Sequence, residues 1–190
     1  MKNKFNLLTT LNFNCNDQRW SEFLFCLSKN LENLLINKIF IGAEINTSSK
    51  TELQRFKYLS SFSKKVFIHK IKTRPTFKDL FSFCNKNPAK WILSNCDIYF
   101  PKSNADKLNL LLNKDYSAEC FVLTRYNILD EMKAKKDGID ISYDGLKLRT
   151  MHGNNIPEGS SIDSWIFETP FDFSKLNLNI QLGQPACDGM

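Results

Sequence analysis

The fold is decided by residues 38–71, KIFIGAEINTSSKTELQRFKYLSSFSKKVFIHKI, in which two apolar runs flank a helical pattern. Residues 38–44 and 65–71 read as buried strands, because each is a short, mostly apolar run. Between them, Ser49 followed three positions later by Glu52 predicts a capping box at the start of a helix. A helix that joins two such strands predicts a right-handed crossover and parallel pairing.

The same alternation of strands and helices continues on both sides of this unit. A first strand is predicted over residues 5–11. A long amphipathic helix follows from Arg19, and its predicted buried face comprises Trp20, Phe23, Leu24, Leu27, Leu31, Leu34 and Leu35. A further helix is opened by Thr76 and Asp79, and its predicted apolar face comprises Phe77, Leu80, Phe81 and Cys84. Beyond it the sequence predicts a strand at residues 91–94, a helix at 105–112 and a strand at 119–125. We therefore expect an α/β fold, with a Rossmann-like, mostly parallel central sheet flanked by helices.

The last third of the chain has a different pattern. Residues 139–150 predict a hairpin around the pair Asp144-Gly145, and residues 151–161 predict a polar loop. Residues 164–168 and 178–182 read as late strands. We expect one domain over residues 1–190, with a nucleotide-binding half (1–126) and a shorter acceptor and catalytic half (127–190).

The charge of the chain does not favour a nucleic-acid partner, and none is expected. Lys and Arg number 26 against 20 Asp and Glu, a net charge of +6, but only five of the basic residues are Arg. Bidentate recognition of phosphates and bases favours Arg. The abundance of Lys, Asn, Phe and Ile indicates an AT-rich genome as much as a selected basic surface.

Localisation signals also constrain the interpretation. No apolar run reaches the 18 or more residues of a membrane span, and the N-terminus lacks the pattern of a secretory signal. The six cysteines include no C-x-x-C pair, so we expect reduced thiols in the cytoplasm, with a zinc site or disulfides as the alternative.

Three common catalytic classes are disfavoured by missing motifs. The chain has no G-x-G-x-x-G after the first strand, no G-x-x-x-x-G-K-[ST] and no G-x-S-x-G. These absences argue against a dinucleotide oxidoreductase, a P-loop phosphotransferase and an α/β-hydrolase, respectively.

Candidate site residues follow the predicted strands, because parallel α/β sheets bind ligands beyond the carboxyl ends of their strands. The most informative stretch is residues 92–100, ILSNCDIYF, in which a strand leads directly into Asn95 and Asp97. Their oxygens are suitable ligands for Mg²⁺ or Mn²⁺, which bridges well to a diphosphate. The other predicted strand ends supply Thr9, Thr10, Asn12, Thr73, Arg74, Pro75, Thr124, Arg125 and Tyr126.

An ordered set of short motifs resembles the GT-A-type nucleotide-sugar glycosyltransferases, and in particular a group of small bacterial and viral GT-A-like proteins. The motifs are T-T at Thr9-Thr10, R-x-x-E at Arg19 and Glu22, R-P-T-F at residues 74–77, N-x-D-I-Y-F at 95–100, L-T-R-Y at 123–126, D-S-W-I-F at 163–167 and G-x-P-x-C-D at 183–188. Together they span nearly the whole chain.

This resemblance implies transfer of a sugar from a nucleoside diphosphate sugar to a glycan or another hydroxyl acceptor, as in surface polysaccharide synthesis. Asn95 and Asp97 would lie at the metal–diphosphate contact, with a divalent cation, Mn²⁺ or Mg²⁺, as cofactor. Asp163 would be the general base toward the acceptor in an inverting enzyme. The remaining assignments are Thr9, Thr10, Arg74 and Arg125 for the nucleotide or substrate, Trp165 for the sugar ring and Asp188 as a second metal ligand.

The chain departs from this pattern at Asn95, which stands where the family has an acidic residue, and it ends soon after Asp188. Both features keep a non-catalytic GT-A-like binding or assembly module as the alternative function. A nucleic-acid-binding domain is a third hypothesis, and it predicts steeply salt-dependent binding. The sugar, the base, the acceptor, the stereochemical course and the oligomeric state stay open.

Each site residue also has a purely structural interpretation. Asp97 can be a turn residue, and Asp163 can be a strand-flanking acid paired with a Lys. Arg74 and Arg125 can form surface ion pairs, and Trp165 can belong to the core. Asp188 can lie in an unstructured terminus.

Overall fold

The computed structural model describes residues 4–102, 105–116, 119–124, 126–128, 141–143, 146–150, 162–174 and 178–181. The strands are β1 (Phe5–Asn12), β2 (Ile36–Glu44), β3 (Val66–Ile71), β4 (Lys90–Ser94), β5 (Phe121–Thr124), β6 (Tyr126–Ile128), β7 (Ile141–Tyr143), β8 (Leu146–Thr150) and β9 (Ile162–Glu168). The helices are α1 (Asp17–Glu32), α2 (Lys50–Ser60), α3 (Phe77–Asn85) and α4 (Ala105–Leu112).

The central sheet has six strands in the order β3-β2-β1-β4-β9-β5. Strands β3, β2, β1 and β4 are parallel to one another, whereas β9 runs antiparallel to both β4 and β5. The carboxyl ends of the parallel strands therefore share one edge of the sheet with the amino end of β9. The expected α/β, Rossmann-like, mostly parallel sheet flanked by helices is confirmed.

One face of the sheet is covered by α1, α2 and α4. Side chains of β1 that alternate along the strand, such as Leu7 and Leu11, pack against Phe23 and Leu27 of α1 and Leu59 of α2. All five are less than 5% exposed. Burial of a side chain of this size stabilises the fold by about 1.5–3 kcal/mol, so this apolar layer provides much of the driving force.

The opposite face is covered by α3, whose start agrees with the sequence pattern. Thr76 accepts a hydrogen bond from the Asp79 amide while the Asp79 carboxylate accepts one from the Thr76 amide, which completes the predicted capping box. The predicted apolar positions of α3 are all buried: Phe77, Leu80, Phe81 and Cys84. They form a second core with residues of the sheet that include Trp91, Leu93 and Phe167.

Local contacts modify two of the expected helix ends. Ser49 caps α2 as predicted, but the Glu52 carboxylate accepts a hydrogen bond of 2.7 Å from the Asn46 amide rather than from the Ser49 amide. Helix α1 ends at Glu32, and Leu34, predicted to lie on its buried face, is 67% exposed.

The C-terminal third contains a small second sheet in the order β6-β8-β7. Strands β7 and β8 pair antiparallel with Tyr143 opposite Leu146, which confirms the two arms of the predicted hairpin. The turn at Asp144-Gly145 and the predicted loop at residues 151–161 lie outside the described residues.

The late strand expected at residues 178–182 is wrong over its described part. Residues 178–181 contribute one isolated bridge, between Gln181 and Thr76, and otherwise form hydrogen bonds to the start of α3. Among the described helices, none is both long enough and apolar enough to cross a membrane.

Candidate functional site

The end of β4 and the start of β9 meet at the carboxyl edge of the sheet. Because β4 and β9 pair antiparallel with Ser94 opposite Ser164, Asn95 lies beside Asp163. The Asn95 side-chain amide donates a hydrogen bond of 2.9 Å to Asp163 Oδ1, and the Asn95 backbone amide donates one of 3.3 Å to the Asp163 carbonyl. Asp163 is only 1% exposed. The two motifs that the sequence assigned to one site are thus in direct contact.

The segment after β4 is fixed by two buried asparagines, Asn30 of helix α1 and its C-cap residue Asn33, which together form an asparagine clamp. Asn30 donates to the Ile98 carbonyl at 3.0 Å and accepts from the Phe100 amide at 2.9 Å. Asn33 donates to the Phe100 carbonyl at 2.9 Å. Buried backbone groups in a non-helical segment need such partners, so α1 determines the path of the chain around Asp97.

Asp97 is paired with an arginine that was part of a sequence motif but was not assigned a role. Arg19 Nη2 lies 3.0 Å from Asp97 Oδ2, and Arg19 Nη1 lies 2.8 Å from a carboxylate oxygen of Glu22. The side chains of Arg19 and Asp97 are 51% and 28% exposed, so the pair is open to solvent. The negative charge of Asp97 is therefore balanced by a guanidinium.

The loop from β1 to α1 is anchored by Arg55 of α2, which holds Arg19 in position. Arg55 donates to the backbone carbonyls of Phe13 and Cys15 at 2.9 and 2.7 Å and forms an ion pair of 2.6 Å with Asp17. Asp17 is the first residue of α1 and Arg19 the third. The buried contacts of Arg55 thus place the first turn of α1 beside the segment that follows β4.

Arg74 forms an ion pair on the neighbouring part of the edge. Its Nε lies 3.3 Å from Glu44 at the end of β2. The amides of Phe77 and Lys78, in the first turn of α3, donate to the carbonyls of Ile180 and Leu178 at 2.8 and 2.9 Å. These two amides of the first turn of α3 are thus already paired with the C-terminal segment, whereas the Arg74 side chain is 37% exposed.

The two predicted threonines of β1 lie on opposite faces of the sheet, because successive residues of a strand alternate. Thr9 is 4% exposed and lies on the same face of β1 as Leu7 and Leu11, the face that α1 covers. Its hydroxyl has no hydrogen-bond partner among the described residues. Thr10 lies opposite Gly42, on the α3 face. A Cβ added at Gly42 would lie 3.7 Å from the Thr10 methyl group, an ordinary van der Waals distance.

Trp165 lies two residues further along β9 than Asp163, away from the carboxyl edge of the sheet. It stands opposite Leu93 in the β4–β9 pairing, and its ring packs edge-to-face on Phe77 with centroids 4.8 Å apart. Its partly buried ring borders the second core. Two further predicted site residues, Arg125 and Asp188, lie outside the described residues.

The described residues contain no group of three or more His, Cys, Asp or Glu side chains that could hold a metal ion. A Mg²⁺ ion carried by substrate phosphates needs only one or two carboxylates of the protein. Asp97 fits that smaller requirement, because Arg19 contacts only its Oδ2 oxygen. Asn95 Nδ2 donates to Asp163 Oδ1, so among these three residues it is Asp97 that could contact a cation carried by a diphosphate.

Two cysteines beside Asp97 are not nucleophiles at neutral pH. Burial, with a smaller contribution from the charge of Asp97, raises the pKa values of the Cys26 and Cys96 thiols to about 12. Cys15, Cys26, Cys84, Cys96 and Cys120 are all free thiols. The expectation of reduced cysteines holds for these five, and Cys187 lies outside the described part of the chain.

No protein-family model matches the sequence, and no curated protein matches it either. Solved structures with a similar chain course do exist. One is CMP-2-keto-3-deoxy-manno-octonic acid synthetase in complex with CTP, with a TM-score of 0.47 and 8% identity over 87% of this chain and 74% of the other. Another is 4-diphosphocytidyl-2C-methyl-D-erythritol synthase from Anaerococcus prevotii, with a TM-score of 0.47 and 13% identity over 87% and 70%.

A third similar structure comes from Bacillus anthracis and is described as a glucose-1-phosphate thymidylyltransferase in complex with sucrose. Its TM-score is 0.44, with 10% identity over 87% of this chain and 71% of the other. None of these three proteins is named as a glycosyltransferase, the family that the sequence motifs resemble.

Proposed function

We propose that the carboxyl edge of β4 binds a nucleoside diphosphate sugar and that the protein transfers the sugar to a hydroxyl acceptor. The observation that carries this proposal is the contact between Asn95 and Asp163, with Asp97 two residues further along a clamped segment. These are the residues of the N-x-D and D-S-W motifs. They lie at the edge where parallel α/β sheets bind their ligands.

In this proposal, the residues along the carboxyl edge have different roles in binding the substrates. Thr10 and Arg74 contact the nucleotide from the α3 side, and Thr9 supports the end of β1 from the α1 side. Asn95 orients Asp163 and the donor. Trp165 forms the apolar wall of the sugar site. Arg125, outside the described residues, completes the set of substrate-binding residues.

The proposed reaction is a displacement at the anomeric carbon of the sugar. The oxygen of the acceptor hydroxyl forms a bond to that carbon, and the bond from the carbon to the diphosphate breaks. The nucleoside diphosphate leaves with the electron pair, and the Asp163 carboxylate takes the hydroxyl proton. Because Asp163 is 1% exposed, the side chains around it would have to move for an acceptor hydroxyl to reach its carboxylate.

A divalent cation belongs to the proposal as a companion of the donor, with Asp97 and Asp188 as its protein ligands. When bound, such a cation would neutralise the charge that develops on the leaving diphosphate. A cytoplasmic location, where nucleotide sugars and reduced thiols coexist, belongs to the same proposal.

A non-catalytic binding module is the second candidate, and specific contacts favour it. The charges of Asp97 and Arg74 are balanced within the protein by Arg19 and Glu44. In such a module these pairs would only hold the loops together. Asp97→Ala would then lower stability and leave any ligand binding unchanged, whereas in the enzyme it would weaken donor binding or slow transfer.

Calorimetric titration of the wild-type protein with UDP-, GDP- and CDP-linked sugars, each with and without Mn²⁺, tests the proposed function. We expect saturable binding of one of these donors and, with a suitable hydroxyl acceptor, release of the nucleoside diphosphate. A parallel arm uses CTP and dTTP with a sugar phosphate. Binding of a triphosphate with release of pyrophosphate, or no binding of any nucleotide, would overturn glycosyl transfer as the function.

A further inference from the structure

The Arg19 side chain has a binding capacity that its contacts within the protein do not use. A guanidinium carries five N–H donors, and hydrogen bonds to Glu22 and Asp97 take one from each terminal nitrogen. The side chain is half exposed. In contrast, the Arg55 side chain is 9% exposed and donates to two backbone carbonyls and to Asp17. Arg55 is a structural arginine, whereas Arg19 presents free donors to solvent.

Arg19 lies at the candidate donor site. Its Nη2 is 3.0 Å from Asp97, and Asp97 follows Asn95, which contacts Asp163, by two residues. Helix α1 carries Arg19 near its start. At its other end, the asparagine clamp of Asn30 and the C-cap residue Asn33 binds backbone groups of Ile98 and Phe100. Because Arg55 also holds the start of α1 through Asp17, the position of Arg19 relative to the end of β4 is fixed at both ends of the helix.

A cationic side chain has to offset the acidic groups near the end of β4 if an anionic ligand is to bind there. Asp97, Asp163 and Glu22 are carboxylic acids near the end of β4, and a diphosphate beside them would be repelled. A planar guanidinium matches two phosphate oxygens at once, which an ammonium group cannot do. Arg19 is suitably placed and shaped for that contact.

We infer that Arg19 binds the diphosphate of the donor and, in doing so, exchanges Asp97 for phosphate oxygens. The exchange frees Asp97 to bind a divalent cation that arrives with the donor. In the unliganded protein the pair holds both groups in place and balances their charges. This inference rests on the proposed function and adds the residue that recognises the diphosphate.

Calorimetric titration with a series of ligands that differ in their number of phosphates tests the role of Arg19. The ligands are the nucleoside, its monophosphate and its diphosphate, with the base taken from the donor that binds best, in Mg²⁺ or in EDTA. Arg19→Gln should weaken binding of the diphosphate about ten- to a hundredfold and leave binding of the nucleoside within about twofold. Arg19→Lys should give an intermediate loss, because the charge stays and the bidentate geometry is lost.

Lys29→Gln is the matched control. Lys29 lies on the same helix and forms an ion pair with Glu32 in the same i,i+3 relationship as Arg19 and Glu22. It is about 15 Å further along the helix axis, away from the end of β4. Lys29→Gln should leave the affinity for each of these ligands unchanged. Circular dichroism and thermal unfolding confirm that each variant is folded.

The EDTA arm separates direct binding from positioning of Asp97. If Arg19 contacts the diphosphate, Arg19→Gln loses affinity in EDTA as well as in Mg²⁺. A loss seen only in Mg²⁺ would overturn the inference, because Arg19 would then act only by orienting Asp97. Equal diphosphate affinity of Arg19→Gln and wild type would overturn it while the proposed function stands. Wild-type protein that binds no nucleotide would overturn both.

Discussion

The side-chain amide of Asn95 donates a hydrogen bond of 2.9 Å to the buried carboxylate of Asp163, and this contact joins the end of β4 to the start of β9. The residues are 68 positions apart in the chain. The antiparallel pairing of β9 with β4 brings them together, because it places Ser164 opposite Ser94. An amide at position 95, where the resembled family has an acid, thus donates to Asp163 instead of repelling it.

Replacing Asn95 tests the structural value of this contact. Asn95→Ala removes a donor from a buried carboxylate and should lower the free energy of unfolding by about 1–3 kcal/mol. Urea denaturation at pH 7 measures the change. Asn87→Ala is the control, because among the described residues the exposed Asn87 side chain bonds only to the Phe83 carbonyl four residues earlier. An equal, small effect of both variants would show that the contact with Asp163 does not stabilise the fold.

The asparagine clamp predicts that the segment after β4 depends on α1. Asn30→Ala leaves the Ile98 carbonyl and the Phe100 amide without their partner and should cost about 1–3 kcal/mol. Hydrogen exchange should become faster at residues 98–100. Asn37→Ala serves as the control, since exposed Asn37 makes one long side-chain contact of 3.4 Å. Unchanged exchange at residues 98–100 in Asn30→Ala would contradict the clamp.

Arg55 is expected to be a major determinant of stability. Arg55→Met keeps the length of the side chain but leaves the buried Phe13 carbonyl unpaired, so we expect a loss of about 1–3 kcal/mol. Lys57→Met changes an exposed cation of the same helix and should alter stability by less than about 0.5 kcal/mol. Chemical denaturation compares the two, and equal losses would mean that the contacts of Arg55 contribute nothing specific.

Stability should fall at alkaline pH because burial raises the pKa of thiols. The Cys26 pKa is raised from 9.0 in the unfolded chain to about 12 in the folded protein. As pH rises above about 9, the unfolded chain loses the thiol proton first, so stability that is fully present below pH 9 is lost progressively up to about pH 12.

The Cys26→Ala variant isolates this effect. The slope for one thiol approaches about 1.4 kcal/mol per pH unit between the two pKa values. Comparing urea denaturation at pH 8 and pH 10, the wild type should lose about 1 kcal/mol more than Cys26→Ala. Identical losses in the two proteins would contradict a buried, protonated Cys26.

Local signals in the sequence predicted most of the described helices and strands, but not the end of α1, and they wrongly predicted a strand at residues 178–182. Thr76 and Asp79 predicted the start of α3 because a capping box depends on residues three positions apart, and the structure contains both of its hydrogen bonds. The boundaries of α4 were predicted as observed, at residues 105 and 112. The parallel orientation of β1 to β4 was predicted from the helices that connect these strands.

Long-range pairing was beyond local signals. The pattern at residues 164–168 predicted a strand, but its place between β4 and β5 depends on contacts with residues more than 40 positions away. The contact between Arg19 and Asp97 was missed for the same reason, although both residues belong to quoted motifs.

Amide chemical shifts of the isotope-labelled wild-type protein, recorded during titration with the donor that binds best, show where the donor lies. The proposed donor site predicts that the largest changes fall on residues 95–100 and 162–164, at the carboxyl edge of β4, with little change at residues 36–39 on the opposite edge of the sheet. Saturable binding whose largest shifts lie at residues 36–39, or on β6–β8, would contradict it.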